Sequence, residues 1–421
     1  VTQLLDGIAA SVEIVEAAVG KDAADHIAAG YALHEFVNVQ TQDAPVDAMT
    51  LEQAHAVFTK WLGADYDTDA LDAVLATLAA EQLDGDPLWL LLISGPGNAK
   101  TETVQAAAGV GAIVTSTISS DAGLLSATPA KERAKGANGG LLRLLEPRGV
   151  LVVKDVTSIL SMDRNLRGTV LAALREVHDG AWYRDVGTDG GRRLQWKGRI
   201  AVIGAVTTAW DAAHAVVSTM GDRFVLIRMD STTGRMPAGR KAIRNTGDER
   251  TMRAELAAAV TGVVAGMDRG AITVTDVESD RILEAADLVT LARTGVEYDY
   301  RGDVIDAHAP EMPTRFAKQL AQVMRGAVAI GVDRPDALRL AIRCARDSMP
   351  PLRLLIIDDL ATHPHSTASD VRKRINKPRA TVDRQLQALH MLGVCECDEE
   401  SYAVDKVRWY YSLALNISQK R

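Results

Sequence analysis

Three cysteines in 421 residues are too few for a disulfide framework, and such a chain suits a reducing compartment. Aromatic residues make up 4% of the chain while alanine and valine abound. That balance favours helices and buried strands over a β-sandwich. No apolar run approaches the ~18 residues of a membrane span. Val1–Glu13 lacks a basic stretch followed by an apolar one, so it does not read as a secretory leader. The expectation is a cytoplasmic protein with no membrane partner. Nor is there an excess of basic charge, because the formal net charge is −8. What is present is 47% hydrophobic and 24% charged residues, enough for two or three cored domains.

The charge is unevenly spread. Residues 351–421 carry a net +2 and the rest a net −10. The basic excess is sharpest at Arg372, Lys373, Arg374, Lys377, Arg379 and Arg384, a pattern suited to an anionic partner. Residues 1–84 read as helices, with one apolar stripe at Leu4, Leu5, Ile8, Val12 and Val15 and another at Leu71, Val74, Leu75 and Leu78. Asn38–Asp47 reads as a linker. The apolar runs Leu88–Ile93, Ile113–Thr115, Val150–Val153 and Ile200–Ile203 read as buried strands. Helical patterns between them predict a parallel α/β sheet over 85–232. Asp230–Asp248, rich in glycine, reads as a loop, and 250–348 as helices.

The turn after the first strand is Ser94-Gly95-Pro96-Gly97-Asn98-Ala99-Lys100-Thr101-Glu102. Gly95 and Gly97 let backbone N–H groups close around phosphate. Lys100 would reach the β- and γ-phosphates, the Thr101 hydroxyl would bind Mg²⁺, and the following helix points its positive end at the anion. The spacing therefore points to ATP with Mg²⁺, bound by residues Gly95 through Glu102. Asp155 closes the later apolar strand Val150–Val153 after Lys154, where a carboxylate would hold the metal or orient the attacking water. Alternation, a Gly/Asp turn and alternation again over 181–197 predict a β-hairpin carrying Arg184, Arg192, Arg193 and Lys197.

These motifs, in this order, resemble AAA+ ATPases of the group with a hairpin before sensor 1, and in particular the minichromosome maintenance (MCM) replicative helicases. That family has Ala before the phosphate-loop Lys, as Ala99 stands here. Its Thr-Ser…Ser-Ser…Gly-Leu stretch resembles Thr115-Ser116, Ser119-Ser120 and Gly123-Leu124, and its Arg-Gly-Val resembles Arg148-Gly149-Val150. In that alignment Lys154 stands where the family has the Walker B Asp, and Asp155 where it has Glu. The resemblance implies that the 181–197 hairpin touches DNA in a ring's pore and that Thr207 is sensor 1. It likewise implies that Arg223, in Met220-Gly221-Asp222-Arg223-Phe224, is an arginine finger for a neighbouring subunit, and that Arg315 is the sensor 2 arginine of a helical lid. It covers roughly residues 87–330 and leaves the N-terminal region outside.

The segment 351–416 has its own pattern. A helix over Leu352–Ala361, a second from Ser366/Thr367 to Ile375, a third opening at Lys377-Pro378-Arg379 and alternation over 394–414 predict a winged helix. Arg379, Thr381, Arg384 and Gln385 fall near the exposed start of its recognition helix, and Arg372, Lys373, Lys377, Arg379 and Arg384 are its candidate DNA contacts. Cys395 and Cys397 fit no zinc spacing. The combined expectation is an MCM-like DNA translocase or helicase, a DNA-dependent ATPase acting as a homo-oligomeric, hexameric ring. Two alternatives stand beside it: an ATP-gated DNA-binding regulator or helicase loader, and a nucleotide-binding scaffold with little hydrolysis.

Overall fold

The computed structural model describes residues 15–16, 23–32, 37–38, 47–128, 137–145, 147–187, 191–212, 223–403 and 406–418. The stripe positions Leu4, Leu5, Ile8 and Val12, most of the 38–47 linker and Met220-Gly221-Asp222 lie outside the described residues. The chain divides into two units, Val1–Asp47 and Ala48–Arg421. In the first, Val15–Glu16 pairs antiparallel with Val37–Asn38, and a helix spans Ala23–Ala28. Helix and a short strand pair therefore share a region whose pattern reads as helical.

The second unit opens with α1 (Leu51–Leu62), started by a capping box in which Thr50 and Gln53 satisfy each other's backbone N–H. Next is α2 (Thr68–Gln82), buried at twelve of its fifteen positions, as a helix apolar nearly all round must be. Then come β1 (Trp89–Ile93), α3 (Lys100–Gln105), β2 (Ile113–Thr115), β3 (Arg148–Val153) and α4 (Arg164–His178). The hairpin strands β4 (Ala181–Val186) and β5 (Arg192–Lys197) precede β6 (Arg199–Val206) and β7 (Val225–Arg228). Strands β2-β3-β6-β1-β7, in that order, form a five-stranded, wholly parallel sheet. Strand β1, flanked by β6 and β7, is buried at every position, which is why it reads as a continuous apolar run. This is a mixed α/β architecture.

After the sheet come α5 (Arg235–Arg244), α6 (Glu249–Ala265) and α7 (Asp276–Arg293). The strands β8 (Val296–Tyr298) and β9 (Val304–Ala307) pair as a hairpin, followed by α8 (Thr314–Ala329) and α9 (Arg334–Asp347). Two expectations need correction here. Asp230–Asp248 holds a ten-residue helix, α5, none of whose residues is buried. Pro237 and Gly239 within it read as loop-forming in the sequence. Pro237 is tolerated because it sits in the first turn, where no intrahelical acceptor is lost. The region 250–348 likewise includes the β8–β9 hairpin, whose strands of three and four residues are too short to alternate visibly.

The helices pack on the sheet through α8 against α2. Gly326 is required at that crossing, since a Cβ there would lie 2.0 Å from the Ala76 carbonyl oxygen. The main core joins α2, one sheet face and the helices beyond, and the other sheet face packs on α4 and the β4–β5 hairpin. Leu71, Leu75, Leu90 and Leu92 are wholly buried in the main core, each burial stabilising by about 2 kcal/mol. The chain closes with α10 (Pro351–Thr362), α11 (Ala368–Ile375), α12 (Arg379–Met391) and the antiparallel pair β10 (Cys395–Ala403) and β11 (Lys406–Leu413). Among the described residues no helix is long and apolar enough to cross a membrane.

Candidate functional site

Strands β1, β3 and β6 run parallel, so the segments that follow them emerge at the same edge of the sheet. Ser94–Lys100 leaves β1 there, Asp155 follows β3, and Thr207 follows β6. In open α/β sheets that edge is where ligands bind. The loop turns on two left-handed residues, Gly97 at φ +76° and Ala99 at φ +50°. Ala99 immediately precedes α3. A Cβ in this conformation costs roughly 1–2 kcal/mol, so the loop is held in shape by its surroundings. One such hold is the Asn98 side-chain amide, which donates to the Asp230 carbonyl at 2.9 Å.

Lys100 is 8% exposed. Its ammonium donates to the Gly95 carbonyl at 3.0 Å, closing the loop on itself. Burial holds that ammonium below the ordinary lysine value, with the Asp155 carboxylate opposing the shift. Asp155 is exposed at the strand end, and its Oδ1 accepts the Thr157 N–H at 2.9 Å. The Thr157 hydroxyl also accepts the Thr207 N–H at 3.2 Å. Thr207 and Asp155 are thereby joined through one residue. Thr101 is exposed at the first turn of α3, and Glu102 forms a two-bonded pair with Arg253 of α6, at 2.7 and 2.9 Å.

All of Gly95 through Glu102 line a cleft of about 850 Å³. Its remaining walls were not among the sequence candidates. One is the α1–α2 turn, Gly63 to Asp67, and the other runs from Asp230 to Gly239 with Asn245 beyond it. The Asp230 carboxylate accepts the Thr232 N–H and hydroxyl at 2.7 and 2.6 Å and the Thr233 N–H at 3.2 Å. An Asp followed by Ser, Thr and Gly is a turn-forming composition, and it is the one signal that could have marked this wall. Arg343 of α9 anchors the other wall by pairing with Asp67 and with Asp69 at 2.9 Å.

Arg223 and Arg315 lie elsewhere. Arg223 precedes β7, whose Val225 stands beside Leu90 and whose Arg228 stands beside Ile93. It is therefore at the opposite sheet edge from Lys100. Its guanidinium pairs with Asp179 at 3.0 and 3.3 Å, and the Gln319 amide donates to its carbonyl at 2.6 Å. Burial works against Asp179, but hydrogen bonds from Arg223 and His178 hold its carboxyl below the usual range. Arg315 pairs with Glu311, which also takes Arg293 at 2.8 Å. Arg315 and Asp179 line a common second cleft of about 540 Å³.

The candidate DNA contacts fall into two surfaces. On the β4–β5 hairpin, Arg193 pairs with Asp185 across the strands at 2.8 and 3.1 Å, and Arg184 is taken by Asp121 at 2.8 Å. Lys197 is exposed and Arg192 partly so. Trp182, Trp196 and Trp210 are buried packing residues. On the C-terminal module, Lys373, Lys377 and Arg379 are exposed and Arg372 partly so. Arg384 is exposed as well and donates to the Arg301 carbonyl at 3.0 Å. Cys395 is buried and Cys397 half-buried. Among the described residues no group of three or more His, Cys, Asp or Glu is placed to hold a metal ion.

No family model matches the chain, and no curated protein matches it. Among solved structures, the A form apo structure of the NrS-1 C-terminal region (CTR) aligns over 88% of this chain and 78% of its own. The identity is 11% and the TM-score 0.32, a level that supports neither a fold nor a function.

Proposed function

We propose that the chain is an ATP-dependent, DNA-binding AAA+ ATPase resembling the MCM helicases, active as a ring and carrying a winged-helix DNA anchor at its C-terminus. One observation carries this reading: a strand–loop–helix unit with a buried Lys100 shares its sheet edge with Asp155 and Thr207. The residues suit ATP and Mg²⁺. Residues 95–102 line the cleft, Lys100 supplies a positive charge, and the Thr101 hydroxyl and Asp155 carboxylate are hard oxygen donors. Bound Mg²⁺ would neutralise charge on the transferring phosphate. Lys100 would bind the β- and γ-phosphates, Asp155 would orient the attacking water and Thr207 would fix its position.

The placement of Arg223 and Arg315 favours assembly. Both lie away from the Lys100 cleft, so as catalytic groups they would serve a neighbouring subunit's nucleotide. Exposed Lys377, Arg379 and Lys373, on a helix–helix–helix–hairpin module, favour DNA as the partner. A second reading is favoured by Lys154, which leaves Asp155 as the sole acid of that strand end: an ATP-gated regulator or loader in which nucleotide switches assembly and hydrolysis is slow. Turnover measured with and without single- and double-stranded DNA, alongside mass with and without ATP, tests both. DNA-stimulated hydrolysis by an oligomer supports the first reading. Nucleotide-dependent assembly with unstimulated, slow turnover supports the second, and a chain that binds no ATP refutes both.

A further inference from the structure

We propose that the β8–β9 hairpin is an acidic cover on the reading edge of the C-terminal module, and that duplex DNA reaches the α12 face only by displacing it. The inference rests on the DNA-binding reading above. Residues 296–307 carry Glu297, Asp299, Asp303 and Asp306 against Arg301 alone. The start of α12 and the residues just before it carry Lys377, Arg379 and Arg384 against Asp383. The two segments differ in net charge, and where they meet Asp303 lies near Asp383.

The contact is specific. The Arg384 guanidinium donates to the Arg301 carbonyl at 3.0 Å and lies against Gly302, where an added Cβ would sit 2.6 Å from its Nη2. The Gln385 amide reaches the Tyr298 hydroxyl at 3.4 Å. Arg353 of α10, 6% exposed, ties the Gln385 side chain to the end of α7, just before the hairpin. Its Nε donates to Gln385 Oε1 at 2.9 Å, and its Nη1 to the Ala292 and Thr294 carbonyls at 2.8 and 2.7 Å. Arg384 and Gln385 are side chains a recognition helix needs for base edges and phosphates, and each has a hydrogen bond to the hairpin, although Arg384 is exposed. Charged and polar groups hold the contact, and these exchange readily for phosphate oxygens. The hairpin's outward residues Tyr300 and Ile305 are 87% and 56% exposed. Its net negative charge argues against its being itself the phosphate-binding surface.

The test uses the full chain and a labelled duplex at several salt concentrations. The variant E297Q/D303N/D306N should bind duplex about tenfold more tightly at low salt, with ATP affinity unchanged. The matched control D398N/E399Q/E400Q removes the same charge from the β10–β11 strand pair and should change binding far less. R353M, which loosens the latch without touching the hairpin's charge, should also tighten binding. Hydrogen exchange gives a second readout: adding duplex to the wild type should speed exchange at 296–307. Equal gains from hairpin and control variants, or slower exchange in that segment on DNA, would overturn the cover. Slower exchange would make Tyr300 and Arg301 part of the DNA surface instead. R379A separates the two levels of the argument. If it weakens binding while hairpin variants do nothing, the cover alone falls. If no variant binds duplex, the DNA reading falls with it.

Discussion

Replacing Lys100 by methionine separates a functional lysine from a structural one, because the two predict opposite signs. The side chain is 8% exposed, and its hydrogen-bond partner among the described residues is the neutral Gly95 carbonyl. A buried ammonium so poorly compensated costs the native state stability. Methionine keeps the length and removes the charge. The Gly95 carbonyl is not orphaned, since the Ser94 hydroxyl also donates to it at 3.0 Å. Lys100→Met should therefore stabilise the nucleotide-free protein by about 1 kcal/mol, as expected where a site trades stability for activity. Nucleotide binding should move the other way. Losing one charge-assisted hydrogen bond costs about 2 kcal/mol, which weakens ATP binding roughly thirtyfold. Burial holds the folded lysine below its ordinary value of 10.5. Between the folded and ordinary values the unfolded chain binds more protons, so wild-type stability rises with pH over that interval. The variant should lack that rise. Urea melts across pH with parallel ATP titrations read both effects. A variant that is destabilised and binds ATP normally would refute the argument and make Lys100 a structural residue.

Two further outcomes follow from ion pairs. Glu278, held at about 2 by Arg334 and by the Thr275 cap, contributes stability that is present above its ordinary value of 4.5 and lost as pH falls from there towards 2. Comparing acid melts of wild type and Glu278→Gln should show about 1 kcal/mol of difference near neutrality, vanishing towards pH 2; a constant difference would refute the pairing. Arg223→Ala should leave ATP binding intact and cut turnover by about 10³, with partial recovery on mixing with Lys100→Ala subunits. Full turnover by an assembled Arg223→Ala protein would exclude it as a finger.

The sequence alone marked what depends on local chemistry. Buried parallel strands announce themselves because both faces are covered, so Leu88–Ile93 and Val150–Val153 read as unbroken apolar runs. The loop from Gly95 to Thr101 is legible because glycines between an apolar run and a helical pattern mark a tight turn, and the start of α11 is legible because Thr367 is a natural helix cap. Neither α5, a helix with glycine and proline in it, nor the strands β8 and β9, of three and four residues, shows a clear period in the sequence. Only tertiary structure decided which distant segments meet. Parallel pairing carries Asp155 and Thr207 to the edge where Lys100 lies and leaves Arg223 at the opposite one. Packing beyond the sheet brings the α1–α2 turn and the Asp230 loop against the same cleft. The docking of a short hairpin on α12 decides that Arg384, exposed like Arg379, has the Arg301 carbonyl as a partner. These outcomes depend on contacts between residues far apart in the chain, and no local pattern encodes their pairing.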